Sequence, residues 1–299
     1  MNLTRYGIDL HAHTTASDGS DSPAELVRKA AALGLAAIAV TDHDTVSGLA
    51  AAAVEAVAVG IEFVPGVELS VEDERGRFHL LGYLFDPANA KLAETLITLR
   101  ASRAERNRRM ALKMTELGLA VTMDDVLAEA GDGGEVVARP HFARALMKKG
   151  IVSSVQEAFD RFLATGKPLY LPKEGLTPRD AIALLHKAGG IGVVAHPGLI
   201  PMGDDALAAR IASLASEAGL DGLEVYYSQH SPLQTERFAR IAEANGLVMT
   251  GGSDYHGLAK PHVPLGVVTA GAPAREVLLD RMRERCDAIR QRANRDQAI

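Results

Sequence analysis

Several classes of protein are excluded by what this 299-residue sequence lacks. It has one cysteine, Cys286, so it can form neither an intrachain disulfide nor a thiolate-rich metal site. It has no tryptophan and only 4% aromatic residues, so alanine and aliphatic side chains must fill its core. The scarcity of aromatics also argues against broad stacking on single-stranded nucleic acid.

An excess of basic charge and long apolar runs are also missing. The net charge of −6 argues against a groove for duplex DNA, although a local positive site for a small anion remains compatible with it. No apolar run approaches the ~18 residues of a membrane span. The N-terminal MNLTRYGIDLHAH lacks the apolar segment of a signal peptide. We therefore expect a reduced, cytoplasmic protein with no membrane or duplex-DNA partner.

Short β-rich runs alternate with longer helical patterns rich in alanine and leucine. Ser22–Pro23 and Thr177–Pro178 each combine a capping residue with proline, which predicts a helix start. Alternation of this kind is typical of βαβ units and a parallel sheet, and a chain of this length suits one α/β barrel. The predicted strands are residues 5–11, 36–42, 62–70, 78–84, 190–196, 222–227 and 247–254.

Residues 100–172 break this alternation, because they read as consecutive helices followed by an extended segment with several prolines. We interpret them as a helical insertion that leaves the barrel after the fourth strand and lies over its mouth. The barrel domain would then comprise residues 1–99 and 173–299. The C-terminal residues from 275 onwards predict a charged amphipathic helix.

Histidines and acidic residues are concentrated at the predicted strand ends, which include six of the ten histidines. In a parallel barrel these ends open on the face that carries the active site. Two histidines one residue apart on a strand point to the same side and can bind one ion. Imidazole with carboxylate suits Zn²⁺, Mn²⁺ or Fe²⁺, and so many ligands imply two or three ions. The side chains concerned are His11, His13, Asp18, Asp42, His43, Glu68, His79, His196, Asp254 and His256.

Each of these positions also has a structural interpretation. The HAH pair could be hydrogen-bonded without a metal, and TDHD could be a strand-to-helix turn capped by Asp44 or Thr45. Glu68 could pair with an arginine, and His79 could be a core histidine. The set as a whole favours metal binding, because chance would not gather so many such residues at strand ends.

Six motifs, in this order along the chain, resemble those of the PHP (polymerase and histidinol phosphatase) family. That resemblance implies a metal-dependent phosphoesterase on a distorted, seven-stranded, TIM-like (βα) barrel. The RPHFARAL run (139–146) and the helical insertion look like the branch that hydrolyses nucleoside 3′,5′-bisphosphates, relatives of which trim short RNA from the 5′ end. The motifs are HAH (11–13), TDH (41–43), GVE (66–68), FHLLGY (78–83), AHP (195–197) and SDYH (253–256).

Carried over to this sequence, the resemblance implies a trinuclear cluster. The first ion would be held by His11, His13, Glu68 and Asp254. Glu68 would bridge to a second ion held also by His79 and His196. The third would be held by Asp18, His43 and His256. Several family members have histidine where this chain has Asp18, and a carboxylate favours Mn²⁺ or Mg²⁺ there. We expect Mn²⁺, with Zn²⁺, Fe²⁺ and Mg²⁺ as alternatives.

The implied reaction is hydrolysis of a phosphomonoester by water that the ions activate. We expect the attacking water near His11, His13, Glu68 and Asp254, with His196 in the catalytic set. A second phosphate needs its own anion site, which arginine forks suit. The insertion supplies Arg100, Arg103, Arg106, Arg139 and Arg144, and a solvated helix face is the alternative for the first three. Arg139, at a helix start, is the leading candidate. The other substrate-binding candidates are Arg103, Arg144, His141, His230 and His256.

Two other functions stay open at this point. Histidinol-phosphate phosphatase would use the same chemistry, but its amine would call for an acidic pocket where the insertion offers arginines. A nucleic-acid-binding module with a relict metal site is disfavoured by the acidic charge and by the full ligand set. Trimming of short RNA is compatible with the leading function, a phosphatase for a small anionic nucleotide.

Overall fold

A computed structural model describes residues 3–5, 7–130, 137–171, 175–269 and 275–296 of the chain. The strands are β1 (Leu3–Arg5), β2 (Ile8–Asp9), β3 (Ala37–Val40), β4 (Glu62–Asp73), β5 (Gly76–Tyr83), β6 (Ile191–Val194), β7 (Gly222–Tyr227), β8 (Val248–Gly252) and β9 (Val267–Thr269). The helices are α1 (Pro23–Ala32), α2 (Leu49–Val59), α3 (Ala90–Glu116), α4 (Met123–Ala128), α5 (Arg139–Lys148), α6 (Val155–Ala158), α7 (Pro178–Lys187), α8 (Asp204–Ser213), α9 (Pro232–Ala244) and α10 (Arg275–Asp296).

Seven strands, β2 to β8, lie side by side in chain order and curve into a nearly closed barrel. The first and last of them meet, because Leu10 donates its N–H to the carbonyl of Gly251 at 3.2 Å. Asp254 likewise donates its N–H to the carbonyl of His11 at 2.8 Å. A Cβ at Gly252 would lie 2.4 Å from that of His11, so only glycine permits this close approach. The predicted seven-stranded α/β barrel is confirmed.

One strand runs against the predicted direction. β5 pairs antiparallel with both β4 and β6, whereas the other neighbouring pairs of the barrel are parallel. Only Glu74 and Arg75 separate β4 from β5, which is far too short for a parallel crossover. The hairpin brings His79 opposite Ser70, so a residue near the start of β5 lies level with the end of β4. The prediction of a wholly parallel sheet is therefore wrong.

Helix starts follow the predicted capping chemistry. Ser22 accepts a hydrogen bond from the N–H of Glu25, whose carboxylate accepts in return from the N–H of Ser22 at 2.8 Å. Thr177 caps α7 by accepting from the N–H of Asp180 at 3.1 Å, with Pro178 in the first turn. Both predicted starts are confirmed, because α1 begins at Pro23 and α7 at Pro178. Proline suits the first helical position because it has no N–H to leave unpaired.

The described residues form two hydrophobic clusters. The larger one fills the barrel and the space beneath its helices, and the smaller one lies among α3 to α6 and the π-helical turn Phe159–Leu163. α3 belongs to both, because Leu92 packs in the barrel cluster and Met110 in the smaller one. The predicted boundary at residue 100 falls inside this continuous helix, and residue 172 lies outside the described residues. The division into two domains stays a prediction.

Candidate metal centre

The nine predicted metal ligands converge at the end of the barrel where the parallel strands finish. Glu68 lies at the centre of this group and is 1% exposed. Its Oε1 lies 2.8 Å from Nδ1 of His79 and 2.9 Å from Nε2 of His196. Its Oε2 faces the ring nitrogens of His11, His13 and His43 at 3.5, 3.2 and 3.1 Å. This carboxylate thus presents one oxygen to each of two groups of imidazoles.

A second carboxylate, Asp18, gathers another group at the same mouth. Its Oδ1 lies 3.3 Å from Nε2 of His256 and 3.6 Å from Nδ1 of His13, and its Oδ2 lies 3.9 Å from Nε2 of His43. In each of three sets of residues, the ligand atoms lie within 4.8 Å of one another. The sets are His13, Asp18, His43 and His256; His11, His13 and Glu68; and His43, Glu68 and His79.

Buried ring nitrogens in this group lack a hydrogen-bond partner within the part of the chain that the structure describes. An unpaired buried polar atom is costly, so such a cluster calls for a ligand. Neutral imidazole and carboxylate together are donors for divalent first-row metals. The residues therefore fit a polynuclear metal centre. The atoms concerned are Nε2 of His11, both ring nitrogens of His13, and Nδ1 of His43, His79 and His196; where one approaches a carboxylate, as Nδ1 of His79 approaches Glu68, the contact lacks hydrogen-bond geometry.

The protonation states also suit metal binding. Burial lowers the pKa of His43 to about 3 and also lowers that of His256, so both rings stay neutral. Burial would raise the pKa of Glu68, but the surrounding histidines hold it well below the usual value. Asp254 behaves likewise, with Lys260 the strongest favourable charge. Ionised carboxylates and neutral imidazoles are the forms that bind metal ions.

His11 and His13 show that the centre attracts positive charge. Burial lowers the pKa of His13, but Asp254 and Glu68 outweigh burial and raise it to about 9. The pKa of His11 is raised well above its usual value against the effect of burial, through Glu224, Asp254 and Glu68. The carboxylates of the centre therefore call for compensating cations.

Strained backbone presents several of these residues. Asp44, His196 and Asp254 have φ of 52°, 27° and 59°, a region that non-glycine residues rarely adopt. Asp44 accepts from the N–H of Ser70 at 3.0 Å and also binds Arg103, which fixes the loop that carries His43. Backbone strain of this kind is concentrated at functional sites.

Supporting residues that sequence reasoning did not identify surround the ligands. Tyr227 donates its hydroxyl to Oδ2 of Asp254 at 2.9 Å, and Lys260 binds the same oxygen at 2.7 Å. Glu224, 0% exposed, contacts His11 and the backbone of His196. The one signal in the sequence was a carboxylate inside the otherwise uncharged run GLEVYY.

Asp42 stands at a strand end but serves the loop rather than the ligand sets. It accepts from the N–H and hydroxyl of Thr14 at 2.8 and 2.7 Å and from the hydroxyl of Ser17 at 2.5 Å. These bonds fix the turn that leads from His13 to Asp18.

The metal centre opens into a cavity of about 800 Å³ between the barrel and residues of the helical segment. Arg77, Arg103, Arg106 and Arg139 line this cavity, together with Asp18, His43, His79, His196 and His256. Burial lowers the pKa of Arg106 to about 9, and the charges of Arg103 and Arg139 add to that effect. One wall of the cavity is thus strongly positive.

The predicted substrate-binding residues fall into two groups. Arg103, Arg139 and His256 line the cavity; the guanidinium of Arg139 lies 5.7 Å from the ring centre of Phe159. Arg144 instead donates to the carbonyl of Glu129 at 3.2 Å.

His141 and His230 are each 1% exposed and bind backbone. Nδ1 of His141 accepts from the N–H of Ala138 at 2.8 Å. Nδ1 of His230 lies 3.0 Å from the carbonyl of Val225, and its Nε2 accepts from the N–H of Gly198 at 3.2 Å. In this structure both rings support the backbone around the site.

Comparison with known proteins agrees with this geometry. Residues 9–164 match the family model of the PHP domain. The 3′,5′-nucleoside bisphosphate phosphatase of Chromobacterium violaceum is 39% identical over 249 residues, which cover 83% of this chain and 87% of that protein. The chain belongs to the PHP family.

Other proteins are similar to this chain over most of their length. The 5′-3′ exoribonuclease Rnm of Escherichia coli is 34% identical over 260 residues, 86% of this chain and 88% of that protein. A crystal structure from Bifidobacterium adolescentis, assigned as a metal-dependent phosphoesterase, superposes with a TM-score of 0.82 at 34% identity and covers 94% of this chain and 98% of its own. This PHP protein is a metal-dependent phosphoric ester hydrolase, as its motifs indicated. Among its described residues, no helix is both long enough and apolar enough to cross a membrane.

Proposed function

We propose that this PHP protein removes the 3′-phosphate of nucleoside 3′,5′-bisphosphates, converting adenosine 3′,5′-bisphosphate to AMP. The observation that carries the proposal is one cavity of about 800 Å³ lined by both the metal centre and four arginines. A substrate with two phosphates needs two anion sites, and the metal centre and the arginines would provide one each. The relative from Chromobacterium violaceum carries the name of this activity.

In this proposal, the metal centre binds the phosphate that is hydrolysed. When bound, divalent ions lower the pKa of water and neutralise phosphate oxygens. We propose that His11, His13, Glu68 and Asp254 hold the first ion. Glu68, His79 and His196 would hold the second, and Asp18, His43 and His256 the third. Mn²⁺ is the proposed metal, because hard carboxylates are interspersed with imidazoles, with Zn²⁺, Fe²⁺ and Mg²⁺ as alternatives.

Neighbouring residues orient the proposed metal ligands. Tyr227 and Lys260 bind Oδ2 of Asp254, which leaves its Oδ1 facing Nε2 of His11 and of His13 at 3.5 and 3.4 Å. The insertion limits access of bulk water, because its residues form part of the cavity wall. Reduced access strengthens the interaction of the centre with an anion.

The arginine wall would bind the second phosphate. Arg139 and Arg103 are the proposed contacts, and Arg106 joins them because it lines the cavity and its guanidinium donates to a neutral group, the amide oxygen of Asn107, at 2.8 and 3.2 Å. Arginine binds phosphate through paired N–H groups. Arg144, His141 and His230 would act by supporting the wall and the strand-end loops.

Slow 5′-3′ trimming of short RNA is a second candidate function. The cavity continues along the insertion to Val155, Gln156 and Phe159, which leaves room for a second nucleotide. The Escherichia coli relative carries the name of such an activity. A cytoplasmic location is part of the proposal, since a free cysteine, Cys286, suits a reducing compartment.

A substrate panel tests the proposal on protein freed of metal and reloaded with Mn²⁺. Adenosine 3′,5′-bisphosphate should release one phosphate and yield AMP, faster than p-nitrophenyl phosphate, histidinol phosphate or a short oligoribonucleotide. Equal turnover of generic monoesters would contradict the bisphosphate assignment.

Arg139→Ala tests the second anion site in the same panel. Loss of a charge-assisted hydrogen bond worth about 1.5–3 kcal/mol should lower kcat/KM for the bisphosphate by about 10- to 150-fold and leave p-nitrophenyl phosphate nearly unchanged. Arg161→Ala is the matched control, because Arg161 also lies in the insertion and over an aromatic ring, 4.8 Å from that of Phe162. A uniform loss on both substrates would place Arg139 outside the anion site.

A further inference from the structure

Glu224 is a buried carboxylate in the middle of β7 that touches two predicted metal ligands. It is 0% exposed. Its Oε1 lies 2.8 Å from Nδ1 of His11, and its Oε2 accepts the backbone N–H of His196 at 2.5 Å. Burial of a carboxylate is expensive unless hydrogen bonds compensate, so its presence in an otherwise apolar strand calls for an explanation.

The contact with His11 selects the ring nitrogen that faces the metal centre. An ionised carboxylate only accepts hydrogen bonds, so Nδ1 of His11 carries the proton that it donates to Glu224. In the neutral ring that binds metal, Nε2 then carries the lone pair on the side of Glu68 and Asp254, each 3.5 Å away. Carboxylates in this position fix the tautomer and orientation of metal-binding histidines.

The contact with His196 acts on the backbone. His196 has φ of 27°, and its N–H is held by Glu224 at the turn that follows β6. Its ring reaches Oε1 of Glu68 at 2.9 Å, on the side of Glu68 away from His11. Glu68 and Glu224 therefore contact the same two residues. Glu68 contacts both rings, whereas Glu224 contacts the ring of His11 and the backbone of His196.

We propose that Glu224 is a positioning residue that fixes His11 and His196 together and so sets two adjacent metal positions at once. The inference rests on the proposed metal sites, and it goes beyond them in assigning one buried carboxylate to two ions. Glutamine cannot fully replace it, because its one oxygen takes the place of only one of the two acceptor oxygens and its NH₂ group would face the other donor.

Asp221, three residues earlier at the start of β7, provides a matched control. It is 3% exposed and likewise contacts a histidine and a backbone N–H, but through one oxygen: Oδ2 lies 2.7 Å from Nε2 of His186 and accepts the N–H of Gly192 at 2.9 Å. His186 lies in α7 and belongs to none of the three ligand sets. Asp221→Asn thus removes the charge of a buried, histidine-bonded carboxylate away from the metal centre.

The experiment compares ion retention in full-length wild type, Glu224→Gln and Asp221→Asn. Each protein is loaded with Mn²⁺ and titrated with a chelator, bound metal is measured by mass spectrometry, and thermal unfolding is recorded for the metal-free forms. Both variants should unfold at lower temperature than wild type. Glu224→Gln should in addition release metal at about 10- to 100-fold lower chelator strength, as expected for loss of a supporting carboxylate. Asp221→Asn should retain metal like wild type.

Glu224→Asp keeps two acceptor oxygens and should recover part of the metal retention, which also covers the case in which Glu224→Gln does not fold. Retention by Glu224→Gln equal to wild type would overturn the inference, as would equal losses in Glu224→Gln and Asp221→Asn. A wild type that binds no metal would refute the proposed metal sites themselves, a result distinct from either of these.

Discussion

His141 is buried at the start of α5, where it closes the first turn of that helix. Its Nδ1 accepts the N–H of Ala138, so the ring must stay unprotonated at this atom. Burial lowers its pKa to about 4, and the neighbouring charge of Arg144 acts in the same direction. A proton on His141 therefore opposes the folded state.

This gives a pH dependence of stability. Below about pH 6.5 the unfolded chain takes up a proton that the folded state excludes, so stability is complete above that pH and falls between 6.5 and 4 by up to about 3 kcal/mol. His141→Gln keeps a capping side chain and should remove this loss. The measurement is urea unfolding at pH 7.5 and 5 in the presence of a chelator. His262→Gln, at an exposed position, is the control, and an unchanged pH dependence in His141→Gln would contradict the assignment.

At the residue scale, the sequence predicts the metal ligands better than it predicts the residues that support them. His11 and His13 were predictable because ligands follow strand ends at fixed spacing. Glu224 and Lys260 were not, since a single acid in a strand or a lysine in a loop has many uses until the fold brings it to a ligand. His141 and His230 have the residue type expected of a site, but only the structure shows that their ring nitrogens bind backbone.

α3 joins the barrel to the insertion as one continuous helix. Leu92 and Leu96 anchor its first half in the barrel cluster, and Met110 and Met114 anchor its second half in the smaller cluster. Arg103 lies between these halves and binds Asp44 beside the metal centre. We therefore expect the packing of α3 to α6 to determine where Arg103, Arg106 and Arg139 stand in the cavity wall.

Phe142→Ala tests this dependence. Phe142 is fully buried in the smaller cluster, and its truncation should destabilise the protein by about 3–5 kcal/mol. We expect kcat/KM for adenosine 3′,5′-bisphosphate to fall more than that for p-nitrophenyl phosphate, while metal content stays constant. Phe238→Ala, a truncation of equal size beside the barrel core at 1% exposure, should lower stability without changing this preference. A shifted preference in both variants would show that the insertion has no special part.

Elements were predictable where local chemistry decides them. Helix starts follow from Ser or Thr before proline, and strand positions follow from β-rich runs. The antiparallel direction of β5 was not predicted, because strand–helix alternation was assumed to hold between β4 and β5, where the chain has no helix. The two residues between β4 and β5 contained that information, since no crossover fits in so short a link.

For the molecule as a whole, the proposed ions would cross-link β2, β3, β4, β5, β6 and β8. Metal bound only by the folded state adds about 2.7 kcal/mol per site at a concentration of 100 Kd. Exhaustive chelation should therefore lower the unfolding temperature and abolish phosphate release, and Mn²⁺ should restore both. Thermal unfolding with and without chelator measures the effect. An unfolding temperature that ignores Mn²⁺ would contradict a metal centre coupled to the fold.

The seam between β2 and β8 has a consequence for biosynthesis. His11 and His13 leave the ribosome long before Asp254 and His256, which follow only after β8 has been translated. A nascent chain cannot assemble its reaction centre before the last barrel strand emerges. We therefore expect no hydrolytic activity until β8 has been translated and has closed the barrel against β2.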